Sequence, residues 1–286
     1  MHKPKKKFGQ HFLNDQSVFE RIIENADLQE DDIVWEIGAG LGALTDHLLK
    51  HKIDLTIFEI DNDLMPILEK KYSDKCKIVH KDILKVDWKG VNPPHLFQKN
   101  EIIKKIDNEL KEQKKIKIIT NLPYQISSPF LYKISENYHN IERVVIMLQK
   151  EVSKRVCAKP FNKDYGVLSL KTQFYFLTEY LFEVSPEKFT PPPAVYSAVI
   201  RLLPRKDIPI LENEKYFWEI VESSFRMKRK TLKNNLKFEL EKKKIPLLFS
   251  TDSNLGIPID LNRRGETLNE ADFIALYEYF LQFTRS

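Results

Sequence analysis

The first two-thirds of the chain alternate short apolar, β-branched runs with amphipathic stretches, the pattern of βαβ units around a mainly parallel sheet. Period-two and fully apolar runs predict strands over Ile33–Ile37, Asp54–Glu59, Lys77–His80, Lys117–Thr120, Arg143–Leu148, Val167–Phe176 and Ser197–Leu203. The connection between the last two is too irregular for a crossover helix, so they read as an antiparallel pair at the sheet edge. Helical spacing predicts Leu41–Lys50, Asp63–Lys71, Ser127–Tyr138 and Lys150–Ala158 among these strands. Past Pro204 the strand signals stop. Glu212–Phe225, Arg229–Lys243 and Asn269–Phe283 carry apolar residues at helical spacing instead. The pattern therefore predicts an α/β domain over residues 1–204 and a small all-helical domain over 205–286. Between two strands lies a long Lys-rich insertion, Val91–Lys115, whose Ile102, Ile103, Ile106 and Leu110 predict an amphipathic surface helix.

Composition supports this division and narrows the class. A chain of 286 residues with 42% hydrophobic and 30% charged residues can bury a sizeable core beneath a solvated surface. No apolar run approaches the roughly 20 residues of a membrane helix. The basic start, Met1 to Lys7, leads into polar sequence and does not read as a secretory signal. Cys76 and Cys157 lie far apart, as in a protein of the reducing cytosol. A soluble cytoplasmic protein is expected. Net charge is only +5, but the cations gather. One cluster is the N-terminal run; a second is Arg226, Lys228, Arg229, Lys230, Lys233 and Lys237; a third is Lys242–Lys244. Such clusters are either solvated faces or sites for an anionic polymer, whose phosphates they neutralise.

Candidate chemistry begins at Val34-Trp35-Glu36-Ile37-Gly38-Ala39-Gly40-Leu41-Gly42, a strand entering a glycine-rich turn and then a helix. Glycines at Gly38 and Gly40 let a ligand approach the backbone, and the helix start favours negative or polar groups. The string also fits G-x-G-x-x-A, so dinucleotide binding stays open. Glu36, two residues before the first glycine, lies outside that fingerprint and is typical of methyltransferase loops. Glu59 ends the second strand, 21 residues after Gly38, where a carboxylate can accept from both ribose hydroxyls of either NAD or S-adenosylmethionine. Asp82 follows the third strand; it is a turn cap or an acceptor for an adenine amine. Three polar stations at successive strand ends outline an adenosine site.

Thr120-Asn121-Leu122-Pro123-Tyr124 follows the fourth strand and suits alkylation of a planar nitrogen. The lone pair of an adenine N6 amine is delocalised into the ring. The Asn121 amide oxygen and the Leu122 carbonyl can both accept its hydrogens and draw the nitrogen towards sp³ character. Pro123 stiffens the turn. Tyr124 can stack on an extruded base and hold N6 in line with a methyl donor. Phe189-Thr190-Pro191-Pro192-Pro193 is either a stiff linker or, through Phe189, the other wall of the base slot.

Together these residues resemble the ribosomal RNA adenine N6-dimethyltransferase family, most closely its small-subunit branch. The resemblance spans almost the whole chain: Lys7–Leu13, Glu36–Gly40, Glu59–Asp61, Asp82-Ile83, Asn121–Tyr124, Phe189–Pro193 and Phe225–Leu236. It implies a Rossmann-like methyltransferase domain that takes S-adenosylmethionine, with His11 and Leu13 bordering the cofactor beside Gly38, Gly40, Glu59, Asp82 and Asn121. It further implies four methyl transfers onto two adjacent adenosines in the 3′ hairpin of small-subunit rRNA, with Arg226, Lys228, Arg229, Lys230 and Lys233 on the rRNA backbone. The partner is then the assembling small subunit, and the enzyme is expected to act as a monomer without an obligatory protein partner. Two departures stand out: the insertion at 91–115, and Gly265 in Arg263-Arg264-Gly265-Glu266, where the family commonly has another small residue or proline.

Rival readings each have a distinguishing feature. The large-subunit adenine dimethyltransferases of macrolide resistance share the Asn-x-Pro-Tyr/Phe loop, but Met147–Val152 and Asp164–Ser169 resemble the small-subunit group. DNA adenine methyltransferases usually carry Asp/Asn-Pro-Pro-Tyr. A ribosome-assembly checkpoint protein would bind without needing Asn121, and a NAD-dependent dehydrogenase would bind NAD instead. His47 and His51 have the spacing of a two-histidine metal face but lack a third ligand, so no metal is expected.

Overall fold

The computed structural model describes residues 10–88, 115–242 and 256–284. The expected surface helix in the insertion therefore lies outside the described residues, as do Lys7–Gly9 of the N-terminal motif, Lys243 and Lys244.

In chain order the elements are β1 (Phe12–Leu13), α1 (Gln16–Ala26), β2 (Ile33–Ile37), α2 (Ala43–Leu48), β3 (Asp54–Glu59), α3 (Met65–Tyr72) and β4 (Lys77–His80). Then follow β5 (Ile116–Asn121), α4 (Ser127–Glu136), β6 (Ile141–Gln149), α5 (Lys150–Cys157), α6 (Val167–Tyr175), β7 (Phe176–Val184), β8 (Phe189–Thr190) and β9 (Ser197–Pro204). Helices α7 (Glu214–Ser224), α8 (Leu232–Lys242) and α9 (Glu270–Leu281) complete the series.

Two compact units emerge. The first takes the described residues of Met1–Ser153 and Phe176–Pro204; the second takes those of Lys154–Tyr175 and Arg205–Ser286. The boundary expected near residue 205 thus misses an earlier excursion, in which Lys154–Tyr175 leaves the α/β unit and joins the helical one.

Within the first unit a seven-stranded sheet runs β4-β3-β2-β5-β6-β9-β7. The pairs among β4, β3, β2, β5 and β6 are parallel, while β9 is antiparallel to both β6 and β7. Strand β2 is buried throughout, and β5 and β6 nearly so, as strands covered on both faces must be. Strand order reverses between β2 and β5, which opens a crevice at their C-terminal ends, where such sheets bind ligands. Helix α1 is an element the strand-led reading passed over. Asp15 caps it by accepting from Val18 N at 3.1 Å, and Val18, Phe19, Ile22 and Ala26 bury its inner face.

One predicted strand is a helix. Val167–Tyr175 forms α6, and the edge strand is Phe176–Val184, so the antiparallel pair exists with different residues on one side. The alternation Leu168-Ser169-Leu170-Lys171-Thr172-Gln173 imitates a half-exposed strand, yet Ser169 and Thr172 are buried. Their neighbours explain why. The Ser169 hydroxyl donates to Arg155 O, and the Gln173 amide donates to Val156 O at 2.8 Å and Ala158 O at 2.7 Å. These polar side chains satisfy the carbonyls that the end of α5 leaves open.

In the second unit, the turn between α7 and α8 is sewn together by Asn235, which is 3% exposed. Its amide donates to Ser224 O at 2.8 Å and Met227 O at 3.2 Å and accepts from Met227 N at 3.1 Å. Gly265 is explained by the same corner, since a Cβ there would sit 2.7 Å from Ser224 O.

Candidate active site

Four strand ends of the first unit supply the site. After β2 the chain turns through Gly38, Gly40 and Gly42, with φ of 74°, 61° and 84°. Only glycine fits at Gly42, where a Cβ would lie 2.2 Å from the Tyr72 hydroxyl, and a Cβ on Gly40 would press on the Phe12 ring at 3.1 Å. The Tyr72 hydroxyl holds this corner by donating to Gly42 O at 2.8 Å and Asp46 at 2.7 Å.

At the end of β3, Glu59 accepts from Gly40 N at 3.0 Å, Ile60 N at 2.8 Å and Asp61 N at 2.9 Å. Three backbone N–H groups therefore fix its carboxylate against the glycine turn, with about one lone-pair site, on Oε2, remaining for a ligand. Asp82, after β4, accepts from Leu84 N at 3.0 Å and also faces the cleft, so it is both a turn cap and a wall residue. At the end of β5, Thr120 donates to Ile37 O at 2.6 Å and locks this strand to β2. Leu122 is buried, with its N–H on Met147 O at 3.3 Å, and Pro123 lies against Gly38.

The cleft so formed is lined by Gln10–Asn14, Glu36–Leu41, Phe58–Ile60, Lys81–Ile83 and Asn121–Ile126. It brings together His11, Leu13, Gly38, Gly40, Glu59, Asp82, Asn121, Leu122 and Tyr124. Carboxylates from Glu59 and Asp82 outnumber Lys81 along the walls. That balance suits a cationic ligand and opposes a pyrophosphate. The residues present thus fit S-adenosylmethionine: a close-approach glycine turn, carboxylates for an adenosine and positive groups, and apolar Phe12, Phe58 and Ile83 for the base.

Glu36 is the least ordinary group. It is 2% exposed, accepts from the Thr45 hydroxyl at 2.7 Å, and burial pushes its carboxyl up to about 8 against the pull of that hydrogen bond. The nearby charges of Glu59 and Asp46 push the same way. Neither the Thr45 contact nor the shift is signalled by the Glu36-x-Gly38 spacing.

Tyr124 stacks on His11, with ring centres 5.9 Å apart at 27°, and its hydroxyl shares a 2.6 Å hydrogen bond with Ser197. Burial raises the phenol above its ordinary value. His11 is held in turn by a 2.8 Å hydrogen bond between Nδ1 and Pro191 O, and the Asn121 amide nitrogen points at His11 O at 3.5 Å.

Phe189, expected as the second wall of the slot, is buried and lies outside the lining of the cleft in this structure. Strand β8 pairs antiparallel with β1, placing Phe189 opposite Leu13 and Thr190 opposite Phe12. Alternation along the pair turns Phe189, 3% exposed, into the core, outside the lining of the cleft. The Phe189–Pro193 segment serves instead as a brace. Asn14 donates to Thr190 Oγ1 at 2.6 Å and to Lys188 O at 2.9 Å, Lys188 pairs with Asp15, and Pro191 O holds His11. The ring stacked beside Tyr124 is that of His11.

In the second unit, Arg226, Lys228, Arg229, Lys230 and Lys233 are all exposed. They lie on the turn before α8 and at its start, rather than along one continuous helix. His47 bonds Ala43 O at 2.9 Å and stacks on Phe19. Among the described residues, no trio of His, Cys, Asp or Glu is placed to hold a metal, and no helix is long and apolar enough to cross a membrane.

Comparison with known proteins adds to this geometry. The family described as ribosomal RNA adenine dimethylase matches residues 1–276. Relatives named ribosomal RNA small subunit methyltransferase A include one from Francisella tularensis subsp. novicida, 37% identical over 280 residues and 97% of each chain. Another, from Clostridium perfringens, is 40% identical over 274 residues, covering 95% of this chain and 88% of the relative. The fold is shared with a dimethyladenosine transferase from Plasmodium falciparum (TM-score 0.72, 23% identity, 96% of this chain and 98% of that one). It is also shared with the 23S rRNA methyltransferase ErmE (TM-score 0.63, 22% identity, 94% and 98%).

Proposed function

The chain belongs to the ribosomal RNA adenine dimethylase family, and from that premise we propose that it transfers methyl groups from S-adenosylmethionine to N6 of two adjacent adenosines in the 3′ hairpin of small-subunit (16S) rRNA. The observation that carries the chemistry is the Asn121–Tyr124 turn, which leaves β5 directly into the cleft opened by Gly38 and Gly40. The small-subunit substrate is supported by relatives named for it at 37% and 40% identity over nearly the whole chain.

When bound, S-adenosylmethionine would supply an electrophilic methyl group on a sulfonium and leave as S-adenosylhomocysteine, each transfer onto N6 releasing one N6 proton to solvent. The chain's own residues do the rest. Glu59 accepts from the ribose, Asp82 from the adenine amine of the cofactor, and Gly38 and Gly40 let the backbone close on it. Asn121 Oδ1 and Leu122 O accept the two N6 hydrogens of the target adenine and localise its lone pair; the amide nitrogen of Asn121, turned towards His11 O, leaves that oxygen for the substrate. Tyr124 stacks on the extruded base, and His11, stacked on Tyr124, fixes the ring. Exposed Arg226, Lys228, Arg229, Lys230 and Lys233 in the second unit grip the rRNA backbone. The partner is the small subunit in the cytoplasm, met by a monomer.

Asn121→Ala tests this reading. Loss of a positioned polar group at a transition state costs about 10²- to 10³-fold in kcat. We expect that loss in methyl transfer to small subunits, with rRNA affinity within a few fold of the parent. Full methylation by the variant would refute the assignment.

A further inference from the structure

Outside the cleft, the second unit carries an aromatic side chain with no role in the chemistry above. Phe161 is 77% exposed and sits at φ 68°, a left-handed conformation that bulky residues rarely adopt. The turn around it is tightly bonded. Phe161 N donates to Glu266 O at 2.8 Å, Asn162 N to Lys159 O at 3.2 Å, and Tyr165 N to Asn162 O at 3.0 Å. Asp164 N donates to Asn162 Oδ1 at 2.9 Å. The ring is thus presented by a stiff support rather than by a loose tip.

Cations surround this turn. Lys159 and Lys163 are exposed on it, and Lys228 from the turn before α8 donates to Lys163 O at 2.6 Å, which joins the two turns physically. Beside Lys228 stand Arg229, Lys230 and the half-exposed Met227, and Arg264 is next to the residues that hold Phe161 N. Acidic neighbours include Asp164 and Glu266, the latter 4.0 Å from the Arg264 guanidinium, with Glu270 and Asp272 acting on Tyr165 at the end of the turn. An exposed aromatic set among cations is the arrangement that receives single-stranded nucleic acid: the ring stacks on a base while the cations take the phosphates.

We propose that Phe161 is a stacking platform for an unpaired base of the rRNA, seated beside the Lys228–Lys230 phosphate grip and separate from the base taken into the cleft. It rests on the reading of that basic turn as an rRNA contact. The source of specificity is shape: a bulged or loop nucleotide can reach the ring, whereas a paired base cannot.

The test measures binding of the full chain to a transcript of the 3′-terminal region of small-subunit rRNA, and to small subunits, across a salt series. Parent, Phe161→Ala, Phe161→Gly and Lys228→Ala proteins are compared. Phe161→Ala is expected to weaken transcript binding by about tenfold to a hundredfold, the range of one base–aromatic stack, without changing the salt slope. Lys228→Ala is expected to lower that slope by roughly 0.7–0.9. Phe161→Gly, which accepts the positive φ, should match Phe161→Ala in binding while melting no lower than the parent. In Phe161→Trp, transcript should quench the added fluorescence. Equal affinity of parent and Phe161→Ala for both probes overturns the proposal while leaving the rRNA grip standing. A defect on subunits but none on the transcript also overturns it, in favour of a ribosomal-protein contact. A parent protein that binds neither probe removes the rRNA reading itself.

Discussion

At the residue scale, the cleft depends on groups that act through their fixation. Tyr124 combines a stacking face with a hydroxyl tied to Ser197. Removing only the hydroxyl, in Tyr124→Phe, is expected to keep kcat/KM within about tenfold, since one neutral hydrogen bond is worth about 0.5–1.5 kcal/mol. Tyr124→Ala loses the stack as well and is expected to fall about tenfold to a hundredfold further, read in steady-state methylation. Glu36 gives a pH signature. With its carboxyl raised from 4.5 to about 8, the folded state holds a proton that the unfolded chain releases above about pH 4.5. Stability from this group is therefore full below pH 4.5, declines as pH rises through that interval, and levels off above about 8. Glu36→Gln removes the titration, so in thermal melts without cofactor its Tm advantage over the parent should grow from pH 5 to pH 8. A constant difference would show that Glu36 does not titrate there.

At the scale of elements, the corner between α7 and α8 positions the cations. Asn235→Ala leaves the buried Ser224 O and the part-buried Met227 N without their side-chain partner, while Met227 O keeps Lys230 N at 2.9 Å. Each buried polar group so exposed to loss costs about 1–3 kcal/mol, and the expected outcome is a lower urea midpoint together with weaker RNA binding. Gly265→Ala presses on the same carbonyl and should destabilise by about 1–3 kcal/mol as well. The parallel strands were legible because β2, β5 and β6 are buried runs of Ile and Val, and the strand-end stations follow from them. What local pattern hides is polar groups buried by tertiary partners. Ser169 and Gln173 look solvent-facing until α5 offers its carbonyls, and that disguised α6 as a strand. Phe189 looks like a base wall until the β1–β8 register turns it inward. The roles of Ser197 and of the Pro191 carbonyl were equally hidden, because each acts on a residue far off in sequence.

At the scale of the molecule, the two units divide labour: the first carries the methyl-transfer cleft and the second the exposed cations. A net charge of +5 is modest, so RNA affinity should come from the clustered residues rather than from the global field. Substituting Arg229, Lys230 and Lys233 together by Ala is expected to reduce the log–log salt slope of RNA binding by roughly 2–3, at about 0.7–0.9 per phosphate contact. An unchanged slope would place the phosphates elsewhere. The most direct test of the account is to supply labelled S-adenosylmethionine with small subunits from cells lacking this modification, beside naked rRNA and large subunits, and to locate the label by mass spectrometry. Dimethyladenosine is expected at two adjacent positions of the small-subunit 3′ hairpin. Label in large-subunit rRNA, or transfer to none of the three, would contradict it.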